Sequence, residues 1–366
     1  MVQERNYYMV KFRKIGILTS GGDAPGMNAA VRAVARKALD EGVEVVGILG
    51  GYSGLIHDNV VPFTPRTVSN IISRGGTVLY SDRCPEFKTE EGMQKAIDTC
   101  KRHGIDAIVA MGGDGTFRGA TDMTNRGIPT IGIPCTIDND ITATDYTIGF
   151  DSAMNTTMRM IDCLRDTCES HKRCNVVEVM GRDCGQIALF TALASGAVAA
   201  VIPEVNFDEQ EFLDRMKGLV AAGKRSFLVI VSEGVLTENG QKYGEVLAKK
   251  IDAETGVETK FARLAHVVRG GNPTLRDRFT ATEMGVRAVE LLLEGKSNIV
   301  ICEINGQIAE LDINYALIAD RMYKKKLKPG DLDAFSAQQI ADMKALAAQR
   351  KEEMKAVYKM VAETSK

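Results

Sequence analysis

Short runs of apolar, β-branched residues alternate with stretches of helical periodicity along most of this chain. A strand inside a parallel sheet is apolar on both faces, whereas a surface helix repeats its apolar residues every three or four positions. The pattern therefore predicts an α/β protein with doubly wound, mostly parallel sheets. Eight runs are predicted as strands: 14–19, 43–48, 105–111, 130–133, 175–179, 198–202, 227–231 and 298–302.

Breaks in this alternation indicate two domains. The helix predicted at 27–40 ends near Gly42, a common helix stop, and belongs to the first sheet. The loop 138–151 precedes a new helix and a new series of strands. A glycine-rich break near 265–272 indicates that the chain crosses back to the first domain there. We expect domains of 1–149 plus 268–315 and of 150–267 plus 316–335, with the active site in the crevice between them.

The tail, residues 336–366, is rich in Ala, Lys and Glu and is predicted to form one long helical extension. Its apolar residues Ile340, Met343, Leu346 and Ala347 recur at helical spacing. We interpret it as a surface helix docked on the body of the protein, with an interaction helix as the alternative.

Composition and charge restrict the partners. The 366 residues are 45% hydrophobic, enough for two domains with real cores. Lys and Arg number 46 against 48 Asp and Glu, a formal charge of −2, so nucleic acid and acidic membranes are not expected partners. The first 14 residues lack the apolar segment of a secretory signal, and the eight cysteines form no Cys-x-x-Cys pair. We expect reduced thiols and a cytoplasmic location.

Two acidic segments follow neighbouring predicted strands. Residues 112–116 read Gly-Gly-Asp-Gly-Thr, and residues 136–140 read Thr-Ile-Asp-Asn-Asp. Open α/β sheets place their ligands at the carboxyl ends of parallel strands, so the segments are expected at one crevice. The glycines let main-chain N–H groups approach an anion, and Asp114 can hold the Mg²⁺ of a polyphosphate. The pair favours phosphoryl transfer, although 136–140 alone could be a surface turn.

Three further blocks strengthen this interpretation. Residues 19–26 (Thr-Ser-Gly-Gly-Asp-Ala-Pro-Gly) follow the first strand and open a helix whose N–H groups could meet a phosphate. Residues 175–182 end in Met-Gly-Arg, and residues 266–271 read His-Val-Val-Arg-Gly-Gly. Arginine and histidine at such positions can anchor a second phosphate on a substrate. Each block alone has an ordinary structural explanation.

Together, these blocks resemble the ATP-dependent 6-phosphofructokinases of the bacterial type, from about residue 14 to about residue 320 and including Arg-Gly-Gly-Thr at 74–77. The resemblance implies transfer of the γ-phosphoryl group of MgATP to the 1-hydroxyl of fructose 6-phosphate. The products are fructose 1,6-bisphosphate and ADP, in the committed step of glycolysis. It also implies an allosteric homotetramer whose active sites are shared between subunits.

The resemblance assigns roles to matching residues. Asp138 takes the hydroxyl proton, Asp114 is the metal-linked carboxylate with Asp140 as its helper, and Thr136 positions the acceptor. Among the other implied positions, Gly21 and Arg83 contact the transferring phosphoryl group; Cys84, Gly113, Gly115 and Thr116 bind the nucleotide; Met180, Gly181, Arg182 and Glu233 contact the hexose, with Arg182 also catalytic; His266 and Arg269 hold the 6-phosphate; and Arg173 and Lys260 reach it from a neighbouring subunit. Lys260 replaces the family's usual arginine, so weaker substrate affinity is expected.

Alternatives remain for the phosphoryl donor, ATP or pyrophosphate, and for the reaction itself. Pyrophosphate-using members carry an acidic residue after the metal aspartate and a lysine before Thr-Ile-Asp, whereas this chain has Gly115 and Cys135. Gly115 leaves space for the nucleotide, which favours ATP, although glycine is usual at position 135. Lipid and NAD kinases share only the segment 112–116. A non-catalytic sugar-phosphate-binding relative is disfavoured because Asp114, Asp138 and Asp140 are all present.

The effector positions implied by the resemblance are incomplete. Arg32, Arg36, Arg165 and Lys224 match basic residues that bind a nucleoside diphosphate activator or phosphoenolpyruvate inhibitor. However, Val198, Ala222 and Pro65 replace a carboxylate, a lysine and an arginine of that pocket. We expect weak or altered regulation by these effectors.

Overall fold

The alternating pattern forms two sheets in the computed structural model, which describes residues 12–365. The strands are β1 (Lys14–Thr19), β2 (Glu44–Ile48), β3 (Val60–Phe63), β4 (Ala107–Gly112), β5 (Thr130–Pro134), β6 (Cys174–Val179), β7 (Ala199–Val201), β8 (Phe227–Ser232), β9 (Thr259–Arg263), β10 (Ile299–Ile304) and β11 (Gln307–Asp312). The helices are α1 (Met27–Asp40), α2 (Gly51–Ile56), α3 (Glu90–His103), α4 (Asp114–Asn125), α5 (Phe150–His171), α6 (Gln186–Ser195), α7 (Glu209–Ala221), α8 (Tyr243–Thr255), α9 (Leu275–Leu293), α10 (Ile313–Tyr323) and α11 (Ala337–Thr364), with short 3-10 helices at Glu86–Lys88 and Ala265–Arg269.

The first sheet has the order β11-β10-β5-β4-β1-β2-β3. Its five central strands run parallel, and β3 and β11 close the two edges in the antiparallel direction. Strands β1, β4 and β5 are buried along almost their whole length because helices cover both faces. Helices α1 and α9 pack against each other, and α4 packs on β4 and β5. Helix packing on both faces thus fixes the positions of the central strands β1, β4 and β5.

The second sheet has the order β7-β8-β6-β9, and all of its pairs are parallel. Strands β6 and β8 are completely buried, and residues of α7 and α8 such as Phe212, Met216 and Leu247 form the core on one side. Strand β9 is the edge, and its residues are only partly buried. The parallel α/β class predicted from the apolar pattern is confirmed.

All eight predicted strands exist, and none of their ends differs from the prediction by more than two residues. Three strands, β3, β9 and β11, were not predicted. Each lies at an edge of its sheet, where half-exposed residues replace the continuous apolar run of a central strand. Helix α1 begins and ends where the pattern places it.

The chain divides into two compact units, and the division differs from the expected one. Unit 1 contains 12–136, 141–149 and 271–344, and unit 2 contains Ile137–Asp140, Phe150–Gly270 and 345–365. The segment 316–335, which we assigned to the second domain, lies in unit 1 because α10 packs against α4 and β10. The segment 137–140 belongs to unit 2, although it lies inside the expected first domain.

The predicted C-terminal extension is one helix, α11, and the boundary between the units falls within it. Met343 and Ala347 are buried, as are Met354 and Val361 further along, so one stripe of the helix is covered. Ile340 and Leu346 are only partly buried. A search of residues 12–365 finds no helix with the length and apolar character needed to cross a bilayer.

Candidate active site

The glycine-bearing and acidic segments leave one edge of the first sheet. Strands β1, β4 and β5 are neighbours and parallel, with Thr19 opposite Met111 and Gly112 opposite Pro134. The loops that follow them therefore start side by side in unit 1. One carries Gly21, one carries Asp114, and the third carries Thr136 and continues to Asp138 and Asp140. This is the edge at which parallel sheets bind ligands.

Position 112 requires glycine because atoms of Ser20 and Thr116 lie close to its Cα. A Cβ there would lie 2.4 Å from the Ser20 carbonyl oxygen and 2.3 Å from Thr116 Oγ1. The two loops are held together because Thr116 Oγ1 donates to the Ser20 carbonyl at 3.1 Å and Tyr52 donates to the Thr116 carbonyl at 2.7 Å. Thr116 is buried, and its amide N–H donates to the Gly113 carbonyl at 3.0 Å. The contacts of Thr116 thus join the loops to each other.

Open space lies beside Asp114, the first residue of α4. A Cβ added at Gly113 or Gly115 would meet no atom within 4 Å apart from its chain neighbours and, for Gly115, the adjacent backbone of α4. Asp114 is about one-third exposed, and its Oδ2 pairs with Arg118 Nη2 at 2.5 Å. A partly exposed carboxylate beside free space at a helix N-terminus fits a hard cation that accompanies phosphate oxygens. Residues 12–365 contain no cluster of three or more metal-binding side chains.

Gly21 is tied to the segment that carries Arg83. The Gly21 amide donates to the Asp82 carbonyl at 3.3 Å, and Ser81 Oγ donates to the Gly21 carbonyl at 2.5 Å. Arg83 is exposed, and no ion pair within residues 12–365 includes it. Cys84 is partly buried against the core of unit 1. The structure thus joins Gly21 to this segment and leaves the Arg83 guanidinium available for an anion.

Asp138 has the most perturbed carboxylate of the predicted site. It is 2% exposed, and burial is the main cause that raises its pKa from 3.8 to about 6, followed by the charge of Asp140. Arg269 and Arg182 act in the opposite direction, and the charge of Glu233 is the last cause that raises the pKa. Unit 2 therefore gathers four other predicted residues around the buried carboxylate of Asp138. Its pKa is near the range expected for a general base that works at neutral pH.

The backbone around Asp138 is held by a residue that the sequence did not indicate. Asn139 has a positive φ of 49°, and its Nδ2 donates to Gln186 Oε1 at 2.8 Å. Gln186 Nε2 donates back to the Asn139 carbonyl at 3.2 Å. Asparagine tolerates this left-handed conformation better than most residues do. No local motif could have identified Gln186, because it is 47 positions away in the sequence.

Glu233 organises the turn at 180–182. Its Oε1 accepts the amide N–H of Gly181 at 3.3 Å and that of Arg182 at 3.0 Å. Arg182 has a positive φ of 55° and is exposed, whereas Met180 is buried at the end of β6. A non-glycine residue in this conformation needs such support, and Glu233 supplies it through two hydrogen bonds.

His266 and Arg269 lie on the 3-10 helix Ala265–Arg269 of unit 2. His266 is exposed and Arg269 is half-buried. The charge of Arg269 is the largest cationic influence on the pKa of Asp138, so its guanidinium lies near that carboxylate. The two predicted 6-phosphate ligands thus lie three positions apart on one short helix.

Arg173 and Lys260, which we expected to serve a neighbouring subunit, share one carboxylate. Arg173 Nε pairs with Glu258 Oε2 at 2.6 Å, and Lys260 Nζ pairs with Glu258 Oε1 at 2.9 Å. The hydrogen bond from Arg173, followed by that from Lys260, lowers the pKa of Glu258 to about 2. Lys260 lies on β9, and Arg173 lies just before β6, the strand that pairs with β9. Glu258 carried no signature in the sequence.

The remaining predicted residues are distributed between the units. Arg32 and Arg36 are one turn apart on α1 in unit 1, whereas Arg165 and Lys224 lie in unit 2. Cys135 is buried in unit 1, and burial followed by the charge of Asp277 raises the pKa of its thiol. The unusual cysteine therefore belongs to the interior of that unit.

The comparison with known families decides the relationship. The family model described as "Phosphofructokinase" matches residues 14–292, three-quarters of the chain. The chain belongs to the phosphofructokinase family. ATP-dependent 6-phosphofructokinases from Clostridium acetobutylicum and Clostridium tetani are 48% and 49% identical over 315 residues, which are 86% of this chain and 97% of each relative.

Solved phosphofructokinases share the fold. The structure from Saccharomyces cerevisiae is 32% identical with a TM-score of 0.80, and the match covers 88% of this chain and 47% of the yeast chain. The T-state enzyme from Pichia pastoris is 32% identical with a TM-score of 0.82, covering 96% of this chain and 39% of that one. This family member thus spans less than half the length of each yeast chain. A pyrophosphate-dependent phosphofructokinase from Marinobacter aquaeolei, 24% identical with a TM-score of 0.72, shares the fold alone.

Proposed function

We propose that this chain is an ATP-dependent 6-phosphofructokinase, a kinase of glycolysis that transfers the γ-phosphoryl group of ATP to the 1-hydroxyl of fructose 6-phosphate. The observation that carries the proposal is the environment of Asp138, a buried carboxylate with a pKa of about 6 among two arginines and two carboxylates. The nearly full-length match to relatives of that name supports the same reaction.

The proposed roles follow the chemistry of each group. Asp138 accepts the proton of the attacking hydroxyl, and Thr136 positions that hydroxyl. Arg83 and the Gly21 backbone stabilise charge on the transferring phosphoryl oxygens, and Arg182 contributes to the same stabilisation. The N–H groups of α4 and the residues around Cys84 bind the nucleotide phosphates.

The sugar phosphate is proposed to bind on unit 2. Glu233 both supports the turn of Met180, Gly181 and Arg182 and faces the hexose, and the exposed guanidinium of Arg182 is available to it. His266 and Arg269 hold the 6-phosphate, because a charge-assisted hydrogen bond to phosphate is stronger than a neutral one. The half-buried Arg269 lies near Asp138, which would set the distance between the held phosphate and the base.

Mg²⁺ is proposed to be held by Asp114 and Asp140, whose hard oxygen atoms suit it. When bound, it would neutralise charge on the phosphate oxygens. Asp140 also raises the pKa of Asp138 by its negative charge, so a cation near Asp140 would lower that pKa and favour the ionised base.

The assembly is proposed to be a cytoplasmic homotetramer with shared active sites. Arg173 and Lys260 stand at the β9 edge and are held by Glu258, rather than by the groups around Asp138. In this proposal they complete the 6-phosphate site of a neighbouring subunit. A cyclic or dihedral arrangement of identical subunits can exchange such residues symmetrically.

A side-by-side assay of phosphoryl donors tests the proposed function. Fructose 1,6-bisphosphate formation would be measured with fructose 6-phosphate and either MgATP or magnesium pyrophosphate. We expect kcat/KM with ATP to exceed that with pyrophosphate by at least about 100-fold, because Gly115 places no carboxylate in the open space beside the nucleotide site. The reverse ratio would assign the pyrophosphate-dependent reaction. No product with either donor, from protein that binds fructose 6-phosphate, would assign a non-catalytic relative.

A further inference from the structure

Unit 1 contains a buried carboxylate to which the proposed reaction gives no role. Asp277 lies in the first turn of α9 and is completely buried. Burial of a carboxylate is costly unless hydrogen-bond donors surround it. Its Oδ1 accepts the Tyr146 hydroxyl at 2.5 Å and the Gly149 amide N–H at 2.6 Å. Asp277 therefore holds both ends of one short stretch of chain, residues 146–149, which we name the backing segment.

The backing segment lies alongside the end of β5. The Ile148 amide donates to the Pro134 carbonyl at 2.9 Å, and Ile148 forms an isolated parallel bridge with Cys135. Thr147 is completely buried, and its Oγ1 donates to the Thr136 carbonyl at 2.6 Å. The segment that Asp277 holds thus fixes the backbone of Thr136 through one side-chain hydroxyl.

The loop before α1 packs closely on the same segment. A Cβ added at Gly26 would lie 2.6 Å from Ile148 Cγ2 and 3.3 Å from Asp277 Cβ. A Cβ added at Gly149 would lie 2.6 Å from the Cβ of Ala24. Both glycines have a positive φ, 107° for Gly26 and 105° for Gly149, which other residues rarely adopt. Such close packing holds the backing segment in one position, because a packed interior leaves little room for a shift.

We propose that Asp277 is a positioning residue for the phosphoryl transfer and that it acts through Thr147 on Thr136. Thr136 is the last residue of unit 1 before Ile137–Asp140, the segment that carries the proposed base Asp138. The two bonds of Asp277 hold the residues on either side of the Thr147–Ile148 pair, and the Thr147 hydroxyl holds the Thr136 backbone. This inference rests on the proposed function, in which Thr136 positions the acceptor hydroxyl.

Loss of this support should change the rate more than the affinity for the sugar phosphate. A displacement of about 1 Å in a group that aligns a reacting hydroxyl can cost about 100-fold in rate. The proposed anchors of the 6-phosphate, His266 and Arg269, lie on a different element, the 3-10 helix Ala265–Arg269. We therefore expect kcat to fall while the KM for fructose 6-phosphate stays nearly constant.

Thr147→Val tests the hydroxyl, because valine keeps the shape of the side chain and removes the donor. With MgATP and fructose 6-phosphate, we expect kcat to fall at least about tenfold and the KM for fructose 6-phosphate to change by less than about twofold. Thr147→Ser returns the hydroxyl and should restore at least about half of kcat. A purely structural role would not produce this rescue together with a constant KM.

Thr130→Val is the matched control. Thr130 is completely buried at the other end of the same strand, β5, and its Oγ1 donates to the Ile128 carbonyl at 2.9 Å. The substitution therefore removes a comparable buried hydroxyl far along the strand from Thr136. In urea unfolding it should cost about as much stability as Thr147→Val, yet its kcat should stay within about twofold of the unmodified chain.

A double-variant cycle tests the connection to Asp277. Asp277→Asn keeps the size of the side chain and weakens its bonds to Tyr146 and Gly149, because bonds to a charged acceptor are the stronger ones. We expect kcat to fall by at least about threefold. In the double variant with Thr147→Val, kcat should stay within about twofold of Thr147→Val alone, because residues that act as a unit are not additive. Effects that multiply would overturn the proposal.

The other outcomes are equally decisive. A Thr147→Val variant that keeps more than half of kcat would overturn the proposal, and so would a Thr147→Ser variant as slow as Thr147→Val. If Thr147→Val does not fold, Tyr146→Phe removes one donor to Asp277, and an unchanged kcat in that variant overturns the proposal. An unmodified chain that is inactive with both MgATP and pyrophosphate refutes the proposed function and this inference together. An active unmodified chain with a normal Thr147→Val variant refutes the positioning role alone.

Discussion

Asp138→Asn separates the proposed proton acceptor from a structural carboxylate. Asparagine preserves the size of the side chain but cannot accept the proton of the hydroxyl group. Asp138 is almost completely buried, and its pKa of about 6 leaves about nine-tenths of the molecules ionised at pH 7. General base catalysis contributes about 10²-fold to 10⁴-fold, so kcat should fall by about that factor. The dissociation constant for fructose 6-phosphate should change little, because the phosphate anchors remain.

The same substitution should not weaken the fold. A folded-state pKa above the usual 3.8 means that the native protein binds this proton more tightly than the unfolded chain does. Ionisation of Asp138 therefore destabilises the native state above pH 6 by up to about 3 kcal/mol, and this penalty vanishes below pH 4. Asp138→Asn removes the penalty, so its free energy of unfolding should equal or exceed that of the unmodified protein at pH 7, and the difference should disappear near pH 4.

Three measurements check this reasoning. They are kcat in a coupled assay, the fructose 6-phosphate affinity by calorimetry, and urea unfolding at pH 7 and pH 4. Asp162→Asn, at an exposed position of α5, is the matched control and should leave all three unchanged. For the unmodified enzyme with MgATP, kcat should fall about tenfold per pH unit below the pKa of Asp138, because protonation removes the base, and bound Mg²⁺ should place that fall below pH 6. A variant that keeps more than a tenth of kcat would refute the role of Asp138.

The remaining predictions concern the glycine loops and the assembly. Gly112→Ala should lower the free energy of unfolding by more than about 2 kcal/mol in urea titrations, since its Cβ would overlap two neighbours, whereas Gly113→Ala meets open space and should cost less than about 1 kcal/mol. Gly115→Asp should fold normally but raise the KM for ATP about 100-fold in steady-state assays, because two charges about 5 Å apart repel by about 3 kcal/mol at an effective dielectric constant of 20. Arg173→Ala and Asp138→Asn subunits, each inactive alone, should regain about a quarter of the activity when co-assembled, because a hybrid pair restores one complete site. Equal stability of Gly112→Ala and Gly113→Ala would contradict the first expectation, and an unchanged KM for ATP in Gly115→Asp would contradict the second. Inactive mixtures of the Arg173→Ala and Asp138→Asn subunits would contradict the third.

The central strands were predictable because their physical requirement is local. A strand covered on both faces is apolar at most positions, and β1, β4, β6 and β8 follow that pattern, although β6 also buries Asn175 and Glu178. The edge strand β9 was not predicted, because it pairs with β6 through backbone hydrogen bonds that do not require apolar side chains. Edge strands are specified by their neighbours more than by their own composition.

The division into units shows the same distinction. Helix α10 has the pattern of an amphipathic helix, but nothing in its sequence says which sheet it will cover. Its packing on α4 places 316–335 in unit 1. The helical structure of the extension was predictable from the spacing of its apolar residues. The contact of Ser365 with Arg215 and Lys224 was not, because it joins residues about 150 positions apart.

The amino-acid sequence by itself determined the α/β class and the central strands, and it carries the residues of the predicted site, including Asp114, Asp138 and Arg182. These properties follow from composition and short-range order, which a sequence carries directly. Only the tertiary structure decided how those groups are tuned and held: the raised pKa of Asp138, the support from Gln186, and the carboxylate of Glu258 between two cations. Burial and long-range contacts set these properties, because a charge responds to whatever the folded chain brings close to it, however far away in sequence.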